Sequence, residues 1–252
     1  NTAGEFSVQR IPTQTAELAR VHSPIADLSG TRRGHVRIAS GADSMRYFLP
    51  ETVSRYRGEH PAVTFDLVRQ SGDSAEQALR TLEADLALIF EQIKSADFQT
   101  MATARQQLYC MMSATHPLAK KPIIRLRDCV GQPAILPRAD AGLRQLLNVG
   151  LIRRSVELGT VIESNSQEFL QNYLTHEMVI SFQIPIAMPS DLVTTPANDS
   201  EVVARPVDLA DVPAGILHIG QLKGRVLPVA AAKFLDSIIT ELGARYGDDI
   251  DQ

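Results

Sequence analysis

The feature that most constrains the fold is a regular alternation of strand-like and helix-like segments after Gly34. His35–Ser40 alternates apolar with polar residues, Ala62–Arg69 reads as a second strand, and Asp85–Phe90 is almost entirely apolar. The segments between these three have helical spacing, and the second of them is Ser74–Glu83. Strand, helix, strand, helix and strand at this spacing predict a parallel sheet covered by helices, which is an α/β fold.

Start signals for the helices stand in the expected places. Gly41–Ser44 supplies turn and capping residues before a helix that carries Leu49 and Tyr56 on one face. Ser74 lies three residues before Gln77, which is the spacing of a capping box. We therefore expect the Ser74 side chain to cap the second helix.

A second set of alternating segments fills the rest of the chain. Its predicted strands are Leu108–Met112, Pro133–Leu136, Val161–Glu163, Val179–Phe182 and Gly215–Gly220. Its predicted helices are Gly142–Leu147, Gln167–Leu174 and a closing helix with Phe234, Ile238 and Leu242 on one stripe. A chain of 252 residues is long enough to form two lobes of this kind.

Charge and composition exclude several classes of protein. The net charge is −4, from 25 basic and 29 acidic residues, and no cluster of Lys and Arg offers a track for phosphates. No segment approaches the roughly 18 apolar residues of a membrane span. The two cysteines, Cys110 and Cys129, fit neither a disulfide scaffold nor a metal motif, and this usage favours a cytoplasmic protein.

Motifs for catalysis and for cofactors are missing as well. The sequence contains no G-x-S-x-G, no G-x-G-x-x-G and no phosphate loop, and its six histidines show no zinc spacing. We therefore expect no enzymatic activity, no catalytic residue, no cofactor and no metal site.

The N-terminal segment has a pattern of its own. Ile11, Leu18 and Ile25 recur at heptad spacing, which predicts an amphipathic helix over Ile11–Leu28 that is interrupted by Pro24; the alternative is a flexible tail. The first six residues lack an initiator Met and a signal peptide, and we expect them to include an artificial remnant.

Several ordered fragments resemble the regulatory domain of LysR-type transcriptional regulators. The matching fragments are Leu28–Gly30, Gly34–Ile38, Leu49–Pro50, His60–Val63, Leu82–Leu88, His116–Ala119, Ile124, Leu126–Asp128 and Ala231–Leu235. The passage from His116-Pro117-Leu118-Ala119 to Asp128 is the most specific of them. Each fragment alone is weak, but together they follow the family's order from Leu28 to about Leu242.

The resemblance implies two Rossmann-like lobes joined by two crossover strands, similar to type 2 periplasmic binding proteins. Lobe I is then expected at residues 34–112 with 218–252, and lobe II at 113–217. Residues 1–33 are expected to hold the remnant and part of the linker helix.

Two departures from the family pattern stand out. The segment Thr175–Ile180 contains no glycine where the family commonly carries a glycine-rich loop, so effector contacts there are not expected to follow the family. Nothing before Ile11 resembles the family's winged helix-turn-helix. The resemblance therefore implies that DNA is contacted only through an N-terminal domain absent from this chain.

The resemblance places an effector in the cleft between the lobes, where strand ends and helix starts converge. The candidate effector-binding residues are Ser40, Asp43, Ser44, Ser71, Gly72, Phe90, Pro137, Arg138, Ser181 and Phe182. Simpler roles stay open: the serines at positions 40, 44 and 71 also suit helix caps, Gly72 a turn, and Arg138 a solvated surface.

The ligand is expected to be a small organic effector, either a carboxylate or an amphoteric metabolite. Arg138 suits a carboxylate, whereas Asp43 suits a donor group such as an amine or a hydroxyl. The function implied is effector sensing for a transcription regulator that forms a homodimer or homotetramer and contacts no membrane. The alternative is a solute-binding protein of a transport system.

Overall fold

The computed structural model describes residues 33–70, 72–90, 92–189, 192, 201–246 and 250–251. The expected linker helix at Ile11–Leu28 and the candidate residue Ser71 lie outside the described residues. The chain divides into two compact units. Unit 1 comprises the described residues up to Ala104 and from Leu217 onwards, and unit 2 is Arg105–Ile216.

The secondary structure alternates as the sequence predicts. The strands are β1 (Gly34–Ser40), β2 (Val63–Arg69), β3 (Leu86–Ile89), β4 (Phe98–Gln106), β5 (Tyr109–Ser113), β6 (Pro133–Pro137), β7 (Gly159–Ser164), β8 (Ile180–Gln183), β9 (Val202–Pro206), β10 (Gly215–Leu222) and β11 (Ile250–Asp251). The helices are α1 (Ala42–Met45), α2 (Phe48–Glu59), α3 (Asp73–Arg80), α4 (Gly142–Arg154), α5 (Gln167–Tyr173) and α6 (Val229–Tyr246). Short 3-10 turns lie at Pro117–Lys120, Leu126–Cys129 and Pro185–Ala187.

The sheet of unit 1 has the strand order β11-β4-β10-β3-β1-β2. Strand β1 pairs in parallel with β2 and with β3, whereas β10 runs antiparallel to β3. The chain passes between the units within β4 and again within β10. These correspond to the two crossover strands that the family resemblance implies, and the α/β class is confirmed.

The sheet of unit 2 has the order β7-β6-β8-β5-β9. Strand β6 pairs in parallel with both β7 and β8, and β5 runs antiparallel to β8 and β9. In each unit, therefore, three neighbouring strands end at one edge of the sheet.

Each unit has a core of its own. In unit 1, β3 is buried throughout, and α6 contributes Phe234, Ile238 and Leu242, each with 0% of its surface exposed. This confirms the predicted stripe. In unit 2, a cluster around Met111, Ile135 and Leu174 fills the space between the sheet and its helices. Both cysteines are buried free thiols.

A buried carboxylate fixes β1 against β3. Asp85 is fully buried. Its carboxylate accepts a hydrogen bond from the Arg37 backbone N–H at 2.9 Å and forms an ion pair with the Arg37 guanidinium, also at 2.9 Å. Arg225 forms a second ion pair with the same carboxylate. Because a buried charge is tolerated only when it is paired, this cluster locks the register that brings the strand ends together.

The start of α3 differs from the prediction. The N-cap is Gly72, with no side-chain cap, and Ser74 lies inside the helix. The Gln77 side chain accepts a hydrogen bond from Arg80 at 2.7 Å, so the predicted capping box is wrong. Gly72 has φ 49° and ψ −128°, a conformation that glycine adopts without strain, and this turn moves the helix start ahead of Ser74.

Within the described part of the chain, no helix has both the length and the apolar character that crossing a bilayer requires.

Candidate functional site

The carboxyl edge of unit 1 brings together the ends of β1, β2 and β3. The pairing register sets Ser40 opposite Arg69 and also opposite Leu88. The ladder continues one residue further, because Gln70 N–H donates to the Ser40 carbonyl at 2.9 Å and Gly41 N–H to the Leu88 carbonyl at 3.4 Å. Such an edge is where open α/β sheets bind ligands.

Ser40 and Ser44 occupy this edge without capping a helix. Ser40 is fully buried, and its hydroxyl donates to the Gly41 carbonyl at 3.3 Å. Ser44 is 1% exposed and lies inside α1, whose N-cap Gly41 makes no side-chain hydrogen bond. These two serines therefore do not cap a helix, which was the simpler role that the sequence left open. Asp43 lies in the first turn of α1 and is partly buried.

The start of α3 already carries negative charge. Asp73 and Glu76 lie in its first turn, and the Gly72 carbonyl accepts hydrogen bonds from Ala75 and Glu76 N–H groups at 3.1 Å each. Acidic side chains in a first turn offset the partial positive charge of the helix start. An anionic ligand is therefore less favoured at this helix start than the sequence suggested, and Gly72 acts through its turn conformation.

Glu76 ties the segment after β3 to α3. Its carboxylate is 4% exposed and accepts hydrogen bonds from Lys94 N–H at 2.9 Å and Ser95 N–H at 2.7 Å. Phe90, directly after β3, is partly buried. The backbone at Lys94 and Ser95 is thereby anchored to α3.

Two polar residues at the same edge were missed by sequence reasoning. Gln70 Oε1 and His218 Nδ1 are buried atoms without a hydrogen-bond partner among the described residues. His218 pairs with Ile89, so that the register places Gln70, Gly41, Ile89 and His218 in one row across the sheet. Burial lowers the pKa of His218, which favours the neutral ring. Both atoms are suited to hydrogen-bond a ligand.

Only one of these two residues had a signal in the sequence. Gln70 directly follows the predicted strand Ala62–Arg69, which is the criterion that selected Ser40. His218 had no such signal, because its strand runs antiparallel and comes from the far end of the chain.

Unit 2 presents its own carboxyl edge. Pro137 is buried at the end of β6, and the Arg138 backbone N–H donates to the Ser164 carbonyl at 3.3 Å. The Arg138 side chain is exposed and forms no ion pair with another described residue. Ser166 caps α5 by accepting a hydrogen bond from Phe169 N–H at 3.1 Å.

Ser181 and Phe182 lie inside β8 and are buried, with 4% and 2% exposed. Neighbouring residues of a strand point to opposite faces, so the two cannot serve one face of the sheet. Ser181 pairs with Met111 and shares its face, and Phe182 pairs with Cys110.

The structure thus groups the candidate residues by unit. Ser40, Asp43, Ser44, Gly72 and Phe90 lie at the carboxyl edge of unit 1, and Pro137, Arg138, Ser181 and Phe182 belong to the strands of unit 2 and their ends. No group of three or more His, Cys, Asp or Glu among the described residues is arranged to hold a metal ion. The edges offer hydroxyls, an amide, an imidazole and the exposed guanidiniums of Arg69 and Arg138, which is chemistry for binding.

Comparison with known proteins gives a consistent match. The family model described as the LysR substrate binding domain matches residues 29–243. The chain is 21% identical over 234 residues to the HTH-type transcriptional activator CmpR of Synechocystis sp., which covers 93% of this chain and 75% of CmpR. The chain spans between 50% and 75% of the length of the first matched relatives.

Solved structures agree. The effector binding domain of QuiR in complex with shikimate has a TM-score of 0.68 at 18% identity, covering 85% of this chain and 99% of that one. The Synechocystis CcmR regulatory domain in complex with 2-PG has a TM-score of 0.69 at 20% identity, covering 86% and 99%. At identities this low, the likeness establishes a common fold.

Proposed function

Because this chain belongs to the family of LysR substrate binding domains, we propose that it is the effector-sensing part of a LysR-type transcription regulator. The observation that carries the proposal is the family match over residues 29–243, which includes strands of both units. The family is one of ligand-binding regulatory domains and not of enzymes. The matched relatives are transcription regulators, which favours this function over that of a transport solute-binding protein.

The proposed effector is a small organic molecule, either a carboxylate or an amphoteric metabolite. QuiR and CcmR, which share the fold, were crystallised with shikimate and 2-PG respectively. The Arg138 guanidinium forms no ion pair with a carboxylate of another described residue. A guanidinium can hold a ligand carboxylate through two hydrogen bonds. Ser40, Gln70 and His218 supply neutral hydrogen-bonding groups, and Phe90 an apolar wall. Of the other sequence-predicted residues, Asp43, Ser44, Ser71, Gly72 and Pro137 stay candidates for the site, whereas Ser181 and Phe182 lie on opposite faces of β8, so only one of the two can contact the ligand.

Partners and organisation are proposed on the same basis. Lobe I, expected at residues 34–112 with 218–252, is proposed to correspond to unit 1; lobe II, expected at 113–217, is proposed to correspond to unit 2, which begins earlier, at Arg105; and residues 1–33 are proposed to act as the linker. Edge strands β2 and β7 carry exposed apolar side chains, Val68 at 43% and Val161 at 56%, which suits pairing with a second copy in a homodimer or homotetramer. DNA is bound by a part of the intact regulator outside this sequence, in the cytoplasm.

Effector binding acts by shifting populations. A ligand changes a conformational equilibrium only to the extent that it binds one conformation better than another. The effector is proposed to select one conformation of the sensing domain, and the intact regulator passes that selection to its DNA-contacting part.

A thermal-shift screen tests the function. Shikimate, 2-PG, amino acids and aromatic carboxylates are added to the chain, and the melting temperature is measured. A ligand at 100 times its dissociation constant stabilises the folded state by about 2.7 kcal/mol, so a true effector raises the melting temperature clearly. If no compound in the panel raises it, the proposed ligand class is wrong.

The compound found is then titrated against variants. Arg138→Gln is expected to weaken binding of a carboxylate at least about tenfold, since a hydrogen bond between charged groups contributes about 1.5–3 kcal/mol. Arg153→Gln is the matched control, because Arg153 is also exposed and lies at the far end of α4. Equal loss in both variants, or no loss in either, contradicts a site at Arg138.

A further inference from the structure

The two cysteines of the chain meet inside unit 2. Cys110 lies in β5 and Cys129 ends the 3-10 turn Leu126–Cys129, and each has 0% of its surface exposed. The two side chains are hydrogen-bonded to each other. The Cys129 thiol also donates a weak hydrogen bond to the Arg125 carbonyl, with 3.9 Å between sulfur and oxygen. Both thiols are free, and the proposed effector function uses neither of them.

The order of the strands brings the two cysteines together. Strand β5 lies between β9 on one side and β8 on the other. After β5 the chain first runs beside β9, where the Ile124 N–H donates to the Pro206 carbonyl at 2.9 Å. It then reaches β6, which pairs with β8 on the other side of β5. The turn Leu126–Cys129 lies between these two points and therefore crosses β5.

Cys110 points to the face of β5 that the turn covers. Met111 packs with Leu170 of α5, and neighbouring residues of a strand point to opposite faces, so Cys110 points away from α5. That face is the one that α4 covers, because the crossovers through α4 and α5 run in opposite directions along the sheet. The turn lies on the same face, since a Cβ atom at Gly150 of α4 would be 3.1 Å from Leu126 Cδ1.

The surroundings of the two thiols favour uncharged sulfur. The hydrogen bond with the Cys129 thiol and burial both raise the pKa of Cys110 well above its usual value. A metal ion held by two thiolates would bury negative charge here, whereas a disulfide carries none. Hydrogen-bonded sulfurs are only about 2 Å further apart than bonded ones, so small side-chain movements close the gap.

Cys129 lies directly beneath the protein surface. Arg127, inside the turn, is exposed, and Val130, the next residue after Cys129, is 56% exposed. The turn is only four residues long, and its hydrogen-bond geometry is poorer than that of an α-helix. Short segments of this kind open locally more often than the strands of a core.

Asp128 holds the turn closed. Its carboxylate accepts a hydrogen bond from the Arg125 N–H at 3.0 Å and forms an ion pair with Lys121 at 2.8 Å. Opening the turn breaks both contacts and exposes Cys129 to solvent. Cys110 stays covered, because it belongs to a strand that is paired on both sides. A small oxidant therefore meets Cys129 first.

We propose that Cys110 and Cys129 form a disulfide when a small hydroperoxide reaches the opened turn. In the first step, the Cys129 thiolate attacks the peroxide, an S–O bond forms, the O–O bond breaks, and the leaving oxygen takes up the thiol proton. In the second step, the Cys110 sulfur attacks the Cys129 sulfur, the S–S bond forms, and the S–O bond breaks. The departing hydroxide takes the Cys110 proton and leaves as water.

The electrons balance within this pair. Two thiols and one molecule of hydrogen peroxide give one disulfide and two molecules of water, so the thiols are oxidised and the peroxide is reduced. A second thiol beside a sulfenic acid stops the oxidation at the reversible disulfide. The bond would tie β5, whose Cys110 pairs with Phe182, to the turn before β6. It gives unit 2 an input that requires no bound effector and does not depend on the proposed function.

Peptide mapping of the full chain tests the proposal. The reduced protein is treated with hydrogen peroxide, the remaining thiols are alkylated, and the chain is digested with trypsin, which places Cys110 in peptide 106–120 and Cys129 in peptide 128–138. A cross-linked pair of these peptides is expected, lighter by two hydrogen atoms than their sum. It should disappear on reduction with dithiothreitol, and the oxidised protein should remain a single chain on a denaturing gel.

Variants test the order of the steps and the route of entry. In Cys110→Ala, Cys129 is expected to remain a sulfenic acid that dimedone labels, whereas in Cys129→Ala, Cys110 is expected to stay unlabelled. Asp128→Ala is expected to speed cross-linking at least about tenfold, because the loss of charged hydrogen bonds raises the open fraction of the turn. Asp140→Ala, at an exposed position, is the control and should react at the wild-type rate. A cooperative melting transition in each reduced variant confirms folding.

Four results overturn the proposal. Both peptides are recovered only as alkylated thiols, or the cysteines gain oxygen without a cross-link, or the cross-link joins two different chains, or Asp128→Ala reacts no faster than the control. None of these results bears on the family match or on effector binding, so the proposed function is tested separately.

Discussion

Among the individual residues of the candidate site, His218 carries a buried ring nitrogen. Its Nδ1 has no partner among the described residues, and burial lowers the pKa of the ring from its usual 6.5. A protonated imidazole is stabilised by water or by a hydrogen-bonding partner. Burial removes the water, and the described residues provide no partner for Nδ1, so protonation is disfavoured in the folded state. The neutral ring can donate or accept a hydrogen bond, depending on its tautomer.

The lowered pKa predicts a pH dependence of stability. Below about pH 6.5 the unfolded chain protonates this histidine while the folded chain resists protonation, so the free energy of unfolding falls as the pH falls through that range. His218→Gln removes this contribution. Its melting temperature is expected to drop less than that of the wild type between about pH 7.5 and pH 5.5.

His176→Gln is the control variant for this measurement, because His176 is exposed. If the wild type and both variants lose the same number of degrees over this range, His218 does not contribute to the pH dependence.

At this scale, sequence predicts where strands end but not which polar atom is left unpaired. Ser40 and Gly72 were selected because they follow strands, and the structure places both at the carboxyl edge. The unpaired state of Gln70 and His218 depends on what packs over them from distant parts of the chain. Ser74 was assigned a capping role that Gly72 fills, because the turn conformation is not encoded by the spacing of Ser and Gln.

Among the elements, α3 is joined through the Glu76 side chain to the backbone at Lys94 and Ser95, which follow β3 in the sequence. Its buried carboxylate accepts two backbone hydrogen bonds, from Lys94 and Ser95. Hydrogen bonds to a charged acceptor are stronger than neutral ones. The position of the backbone at Lys94 and Ser95 therefore depends on a side chain of the neighbouring helix.

Glu76→Gln is expected to loosen this segment. The amide keeps one acceptor oxygen but places an N–H₂ group against a backbone N–H, so one buried donor loses its partner, at a cost of about 1–3 kcal/mol. Hydrogen exchange at the Lys94 and Ser95 amides should accelerate. Glu83→Gln, at an exposed position, is the control, and equal exchange rates in the two variants contradict the role assigned to Glu76.

Elements with strong periodicity were predicted and weakly patterned ones were missed. The apolar run of β3 and the stripe of α6 identified both elements. Strand β4 was missed because its buried residues include the small side chains Ala102 and Ala104, among polar residues such as Thr103 and Arg105. Strand β9 is short and ends in proline, which argues against a strand when sequence alone is considered.

On the scale of the whole molecule, the described residues include two buried clusters, one in each unit, that share no residue. One surrounds Ala39, Leu79 and Ile89 in unit 1, and the other surrounds Ile135 and Leu174 in unit 2. The sequence predicted two lobes through the family resemblance and not through composition, since nothing local marks where the chain leaves one unit. The crossovers within β4 and β10 follow from pairings between distant segments.

Matched core variants test the independence of the two cores. Leu79→Ala and Leu174→Ala each remove a side chain with at most 1% exposure, and each is expected to cost about 2–5 kcal/mol. Hydrogen exchange should report the loss mainly in unit 1 for Leu79→Ala and mainly in unit 2 for Leu174→Ala. If each variant destabilises both units equally, the chain unfolds as one cooperative block.

The discontinuity of unit 1 dictates an order of events on the ribosome. Translation completes Arg105–Ile216 before it reaches α6, whose Phe234 and Ile238 fill the unit 1 core. Strands β1–β3, which are synthesised first, therefore have one face uncovered by α6 during the time in which unit 2 is synthesised and can form its own core. The unit that begins synthesis first is the last to mature, and its exposed β1–β3 surface is the part of the nascent chain most in need of a chaperone.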